Sequence, residues 1–205
     1  MDEKTKSRLG ALQKGKELLL SKYDVGKINK FCRTVYPFTA EQMDVQGTKL
    51  NLGCYRMYIE GFTNIDIKPD VGADRVFNIL EVSKFYSPGS VNMILMSQVL
   101  EHFTLEEADK LLQDVYNILC FGGRLIIEVP DCEGLDEKVS KGEMSEHAAK
   151  VFREGHPEVI GQAHKCQFVE GTLKQLLEKV GFKKMSRNPL VSDDSKAIRF
   201  DIVKV

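Results

Sequence analysis

Two short stretches carry the residue types and spacing that point most directly to chemistry. Lys49-Leu50-Asn51-Leu52-Gly53-Cys54 is followed by Phe62-Thr63-Asn64-Ile65-Asp66-Ile67, with eight residues between Gly53 and Phe62. Read together they predict a strand, a tight glycine turn, a short crossover and a second strand ending in a carboxylate. A glycine at the carboxyl end of a buried strand lets backbone approach a ligand with no Cβ in the way. An acid at the end of the next strand can accept hydrogen bonds from both hydroxyls of a ribose. This pair therefore suggests a cradle for a nucleotide-type cofactor, although Gly53 as a plain turn glycine and Asp66 as an exposed turn acid are the simpler alternatives.

The elements that must position these residues follow from the hydrophobic pattern. From Gly47 onward, short apolar runs alternate with turns and helical segments, the pattern of a parallel sheet flanked by helices. Strands are expected at Leu50–Leu52, Phe62–Ile67, Val76–Ile79, Val91–Met96 and Leu125–Val129, the fourth almost wholly apolar, as in a strand covered on both faces. A parallel crossover usually takes a dozen or more residues, so the first link leaves room for little more than one helical turn. Thr104 and Glu107 form a capping box, and Leu105, Ala108, Leu111, Leu112, Val115, Ile118 and Leu119 recur at helical spacing up to a stop at Gly122-Gly123. A second capping box, Thr172 with Gln175, opens a helix that ends at Gly181. Phe182–Arg187 and Ala197–Val203 would close the sheet as a hairpin joined by the segment from Asn188 to Ser195. The fold class is thus α/β: a single Rossmann-like, doubly wound sheet, mostly parallel with a closing antiparallel strand. Two parts are expected, an N-terminal helical cap or lid over residues 1–46 and an α/β domain over 47–205. The first contains a leucine-rich amphipathic helix at 8–20 followed by Phe31, Tyr36, Pro37 and Phe38. Residues 133–165 read as a polar, irregular insertion with one helix at Met144–Arg153, and hold His147, His156 and His164.

Composition narrows the function classes. The 205 residues include 42% hydrophobic and 29% charged residues with a net charge of −1, ordinary for a soluble domain. The start lacks the apolar core of a secretory signal. Five scattered cysteines without a C-x-x-C pair indicate neither a disulfide framework nor a zinc site. A cytoplasmic location is expected, with no membrane partner. The basic surplus of residues 1–33 is too mild to argue for nucleic acid.

Leu50-Asn51-Leu52-Gly53-Cys54, Gly61 through Ile67, Val99-Leu100-Glu101-His102-Phe103, Leu119 through Asp131 and Phe168 through Phe182 together resemble a class I, S-adenosylmethionine-dependent methyltransferase. The similarity spans about residues 48–183, and is greatest to small bacterial-type members with a short first crossover and Leu-Glu-His after the fourth strand. It implies S-adenosylmethionine as cofactor, with Asn51 among the cofactor-binding residues, Gly53 and Cys54 near its methionine part and Asp66 on the ribose. It further implies Asn78 and Ile79 flanking the adenine, and Ser97 and Gln98 lining the floor near the sulfonium. Glu101, His102 and Asp131 follow strand ends and are the catalytic candidates. The family usually has a second glycine after the cysteine, where this chain has Tyr55.

Methyl transfer needs the acceptor held in line with an activated methyl carbon, and a hydroxyl acceptor also needs a base. His102 suits that role or a structural hydrogen bond at the start of the helix. The three insertion histidines read as surface residues. No Asn/Asp-Pro-Pro-Tyr/Phe sequence supports methylation of nucleic-acid amino groups, and no acidic cluster supports a metal-dependent catechol-type reaction, so no metal is expected. The expected acceptor is a small molecule or a glycan-type hydroxyl. Two other readings stay open: an inactive methyltransferase-like binding or partner protein, and an NAD-dependent oxidoreductase, which lacks its G-x-G-x-x-G turn here.

Overall fold

The computed structural model describes residues 38, 42, 44–157, 162–187 and 197–205. The chain divides into two units, Met1–Met43 and Asp44–Val205, and the description below concerns the second. The expected helix over 8–20, the stretch containing Phe31, Tyr36 and Pro37, and the link from Asn188 to Ser195 lie outside the described residues. No helix among the described residues is long and apolar enough to cross a membrane.

Seven strands form one sheet: β1 Lys49–Leu52, β2 Thr63–Asp66, β3 Arg75–Val76, β4 Val91–Ser97, β5 Leu119–Pro130, β6 Lys184–Arg187 and β7 Ala197–Val203. Their order is β3-β2-β1-β4-β5-β7-β6, with β7 antiparallel to both its neighbours and the remaining pairs parallel. This is the expected doubly wound sheet with one reversed strand. β4 reads as a buried central strand because Met93, Ile94, Leu95 and Met96 are all fully buried between the two faces. The strand order reverses between β1 and β4, and the carboxyl ends of β1, β2, β4 and β5 open on the same edge. In such sheets the crevice at that switch point is the ligand-binding edge.

Four helices complete the described domain: α1 Leu105–Ile118, α2 Cys132–Ser140, α3 Glu146–Glu154 and α4 Glu170–Val180. In α1 the Thr104 hydroxyl accepts from the Glu107 amide, and the Glu107 carboxylate accepts from the Thr104 amide. Ala108, Leu111, Leu112, Val115 and Ile118 bury one face of α1, the larger side chains contributing about 1.5–3 kcal/mol each.

Several expected boundaries move, each for a nonlocal reason. α1 stops at Ile118 rather than at Gly122-Gly123, because Lys204 reaches across from the end of β7. Its ammonium donates to the carbonyls of Tyr116 (2.6 Å) and Leu119 (2.8 Å), a cation placed on the helix carboxyl end. Residues 119–123 then join β5, whose register against β4 shifts between Val91 and Met93. The third strand is only Arg75–Val76, since Asn78 caps a short 3-10 turn at Ile79–Lys84 by accepting from the Leu80 amide. The last helix begins at Glu170, two residues before the expected cap. Thr172 lies inside it, accepting from the Val169 amide and donating to the Val169 carbonyl. The stretch after residue 133 is less irregular than its polarity suggests: α2 is capped by Asp131, and α3 by Ser145, whose hydroxyl accepts from Ala148.

The link from β1 to β2 contains no helix. A buried amide network replaces it: Asn51 Nδ2 donates to the Met57 carbonyl (2.8 Å) and to Asn64 Oδ1 (2.9 Å). Asn64 in turn accepts from the Ile59 amide and donates to the Ile59 and Phe62 carbonyls and to Asp74. These bonds satisfy loop backbone that a crossover helix would otherwise satisfy internally. They also fix where β1 and β2 end.

Candidate functional site

Gly53 ends β1 with φ +70°. Its amide and that of Cys54 both donate to the Ile65 carbonyl, at 2.8 and 2.9 Å. The space its missing Cβ would occupy is taken by the protein itself: an added Cβ would lie 2.5 Å from Val99 Cγ2. The glycine is therefore required by a left-handed backbone and by the close approach of the segment following β4. The expected open approach of a ligand to a bare Cα is replaced here by the side chain of Val99.

Asp66 closes β2 at the same edge and is 7% exposed. Its Oδ2 accepts from the Tyr55 amide (2.7 Å) and its Oδ1 from the Lys68 amide (2.9 Å). A carboxylate has about four acceptor positions, so both oxygens are oriented and both retain capacity for a diol. Tyr55 reaches this bond through φ +41°, a conformation that costs a non-glycine residue about 1–2 kcal/mol. That backbone explains why a glycine suits this position. Tyr55 is 44% exposed, with Arg56 and Lys68 placed against its ring.

Gln98, immediately after β4, is the other described non-glycine residue with positive φ, at +53°. Its amide donates to the Glu128 carbonyl (2.9 Å) and its side chain to Glu128 Oε1 (3.2 Å). Glu128 also pairs with Arg199 at 2.9 Å, both almost fully buried. The two strained backbones thus follow the adjacent strands β1 and β4 at the same edge of the sheet. Ser97 Oγ, buried beside Gln98, has no hydrogen-bond partner among the described residues.

The remaining expected site residues are placed as follows. Asn51 holds the β1–β2 link. Asn78 caps a 3-10 turn, and Ile79 is buried in the core. Cys54 is buried, and desolvation, with Asp66 adding to it, pushes its thiol up to about 12, which removes it as a nucleophile. Asp131 caps α2 by accepting from Gly134 (3.0 Å) and pairs with Arg187.

Glu101 and His102 come together with a third residue. The short 3-10 turn Leu100–His102 turns the chain from β4 into α1. The Glu101 carbonyl accepts from the amides of Lys165 (2.7 Å) and Cys166 (3.1 Å), which draws the segment around His164 onto this turn. One donor atom each from Glu101, His102 and His164 lies within 4.8 Å of the others. Glu101 is 1% exposed, neither of its carboxylate oxygens has a hydrogen-bond partner among the described residues, and burial pushes its carboxyl up to about 8. His102 Nδ1 lies 3.0 Å from the Ala163 carbonyl. The Gln98 carbonyl faces the same ring, so two backbone acceptors hold its orientation. Burial lowers the pKa of both His102 and His164, disfavouring the charged rings. His164, read from sequence as a surface residue, is half-buried, whereas His147 is exposed. No local pattern signals the pairing of His164 with Glu101, because it is made by backbone contacts between distant segments.

No protein-family model matches the sequence, and no curated protein matches it. Solved structures do match the fold. A SAM-dependent methyltransferase from Archaeoglobus fulgidus is 15% identical with a TM-score of 0.54, the match covering 87% of this chain and 92% of that one. The 1,6-didemethyltoxoflavin-N1-methyltransferase of Burkholderia thailandensis, solved with its substrate and S-adenosylhomocysteine, is 16% identical with a TM-score of 0.53, covering 80% of this chain and 74% of that one. A Pyrococcus horikoshii protein is 13% identical with a TM-score of 0.61, covering 87% of this chain and 91% of that one. The fold of this chain is that of the class I, S-adenosylmethionine-dependent methyltransferases.

Proposed function

We propose that this chain transfers a methyl group from S-adenosylmethionine to a small-molecule or sugar hydroxyl. The observation that carries the reading is Asp66: a buried carboxylate at the carboxyl end of β2, each oxygen oriented by a backbone amide, beside the switch point of this fold. The residues present fit the cofactor, since Asp66 retains acceptor capacity for a ribose diol and Ser97 Oγ is a buried hydroxyl without a described partner. Asp66 would hold the ribose, and Ser97 and Gln98 would line the floor. The cofactor supplies an activated sulfonium methyl group when bound. The chain's own contribution is to orient the acceptor and exclude water, and proximity of that kind supplies up to roughly 7–11 kcal/mol in well-aligned cases. A hydroxyl acceptor must also lose a proton, and the Glu101, His102 and His164 cluster is the group of side chains at this edge suited to that loss.

Calorimetry with S-adenosylmethionine, and with NAD in parallel, tests the reading. Wild-type protein is expected to bind the former and not the latter. Asp66→Ala is expected to weaken S-adenosylmethionine binding at least about tenfold, or about 1.4 kcal/mol. Unchanged affinity in a variant that melts like wild type would remove the ribose assignment.

A further inference from the structure

We propose that Glu101, His102 and His164 bind a divalent first-row transition metal ion, leaving coordination positions open toward the acceptor. Two imidazoles and one carboxylate converge with donor atoms within 4.8 Å of one another. A closed zinc or similar site has bonds near 2.0–2.2 Å and neighbouring ligands roughly 3.4 Å apart. The three side chains therefore need to draw in by only about 1 Å to meet a shared ion.

Three features distinguish this cluster from a chance grouping. Glu101 is 1% exposed with both carboxyl oxygens lacking a described partner, and a buried polar group left so is costly unless something at the site compensates it. His102 Nδ1 lies 3.0 Å from the Ala163 carbonyl, the kind of outer contact that orients a metal-binding imidazole. His164 is fixed independently: its amide donates to the Glu154 carbonyl (2.9 Å), and the carbonyls of Phe152 and Arg153 face its ring. Gly155 makes room for it, since an added Cβ there would lie 2.7 Å from His164 Cδ2 and 2.1 Å from the Gln162 carbonyl oxygen, at φ +69°. The backbone is thus shaped around this histidine.

The donor set selects the ion. Imidazole nitrogens suit iron, nickel, copper and zinc, whereas magnesium, calcium and manganese favour oxygen surroundings. Three protein ligands are the number found in catalytic rather than closed structural sites. Lys68 and Lys165 add positive charge near His102, which weakens the affinity for a dication but leaves the ligand set intact. The metal site stands on these side chains alone. That its open positions take an acceptor oxygen, lowering the pKa of a hydroxyl there, rests on the methyl-transfer reading above.

The test uses full-length protein stripped with chelator and titrated with cobalt(II), read by visible absorption, with zinc stoichiometry measured by elemental analysis. Saturable binding of one ion per chain is expected, undiminished by excess magnesium. His164→Asn and Glu101→Gln should each weaken binding at least about tenfold, and His147→Ala should leave it as in wild type. Absence of saturable binding to wild-type protein overturns the proposal without recourse to any variant. So does wild-type affinity in His164→Asn or Glu101→Gln. S-adenosylmethionine calorimetry on the same samples separates the two readings: cofactor binding without metal binding refutes the metal site alone, and metal binding without cofactor binding refutes the transferase reading alone.

Discussion

Replacing Gly53 by alanine probes why a glycine must end β1. With φ at +70°, an alanine adopts a left-handed conformation at a cost of about 1–2 kcal/mol. Its Cβ also falls 2.5 Å from Val99 Cγ2 and 3.0 Å from Cγ1. Val99 is 5% exposed and β-branched, so it has little freedom to move aside. Relieving the overlap adds about 1–3 kcal/mol, so Gly53→Ala alone is expected to cost about 2–5 kcal/mol. Val99→Ala removes both γ carbons and leaves the Val99 Cβ at 3.4 Å, an ordinary contact. By itself that truncation costs about 1.6 kcal/mol for the two lost carbons, plus any cavity. In its background Gly53→Ala should cost only the backbone share, about 1–2 kcal/mol. The double-mutant cycle should therefore show a coupling of about 1–3 kcal/mol. Urea unfolding of the four proteins, followed by far-ultraviolet circular dichroism, measures it. An equal cost of Gly53→Ala in both backgrounds would refute the conclusion that Val99 occupies the missing Cβ.

Arg199→Met leaves Glu128 buried without its partner and is expected to cost about 3–5 kcal/mol; adding Glu128→Gln should recover most of that in chemical denaturation, and a loss below 1 kcal/mol would contradict the buried pair. Cys54, with its thiol at about 12, has roughly one part in ten thousand as thiolate at pH 8, so mass spectrometry should find it unalkylated by iodoacetamide in native protein and modified after unfolding. Rapid native modification would show the site to be open. His102→Ala should lower methyl turnover while leaving S-adenosylmethionine affinity intact; turnover at the wild-type level would confine His102 to its bond with the Ala163 carbonyl.

Much of the fold is written locally. The apolar run of β4, the helical recurrence from Ala108 to Ile118 and the Thr104–Glu107 capping box each involve residues within a few positions of one another, and their burial requirement leaves a period in the sequence. Strand, helix and strand in that order dictate a parallel crossover, and with it the placement of several strand ends on one edge. Gly53 and Asp66 were legible for the same reason, as special residue types at the ends of apolar runs. The boundaries set from a distance were not. Lys204 ends α1, and the amides of Asn51 and Asn64 stand in for a crossover helix.

Residue pattern alone specifies an α/β sheet with a glycine turn and a carboxylate at neighbouring strand ends. Their surroundings come from long-range packing: Val99 against Gly53, Arg199 on Glu128, and His164 beside Glu101 and His102. Periodicity records which face of an element is buried, but not which distant segment covers it. That depends on strand order and on backbone bonds such as those from Lys165 and Cys166 to the Glu101 carbonyl, which leave no local pattern to read.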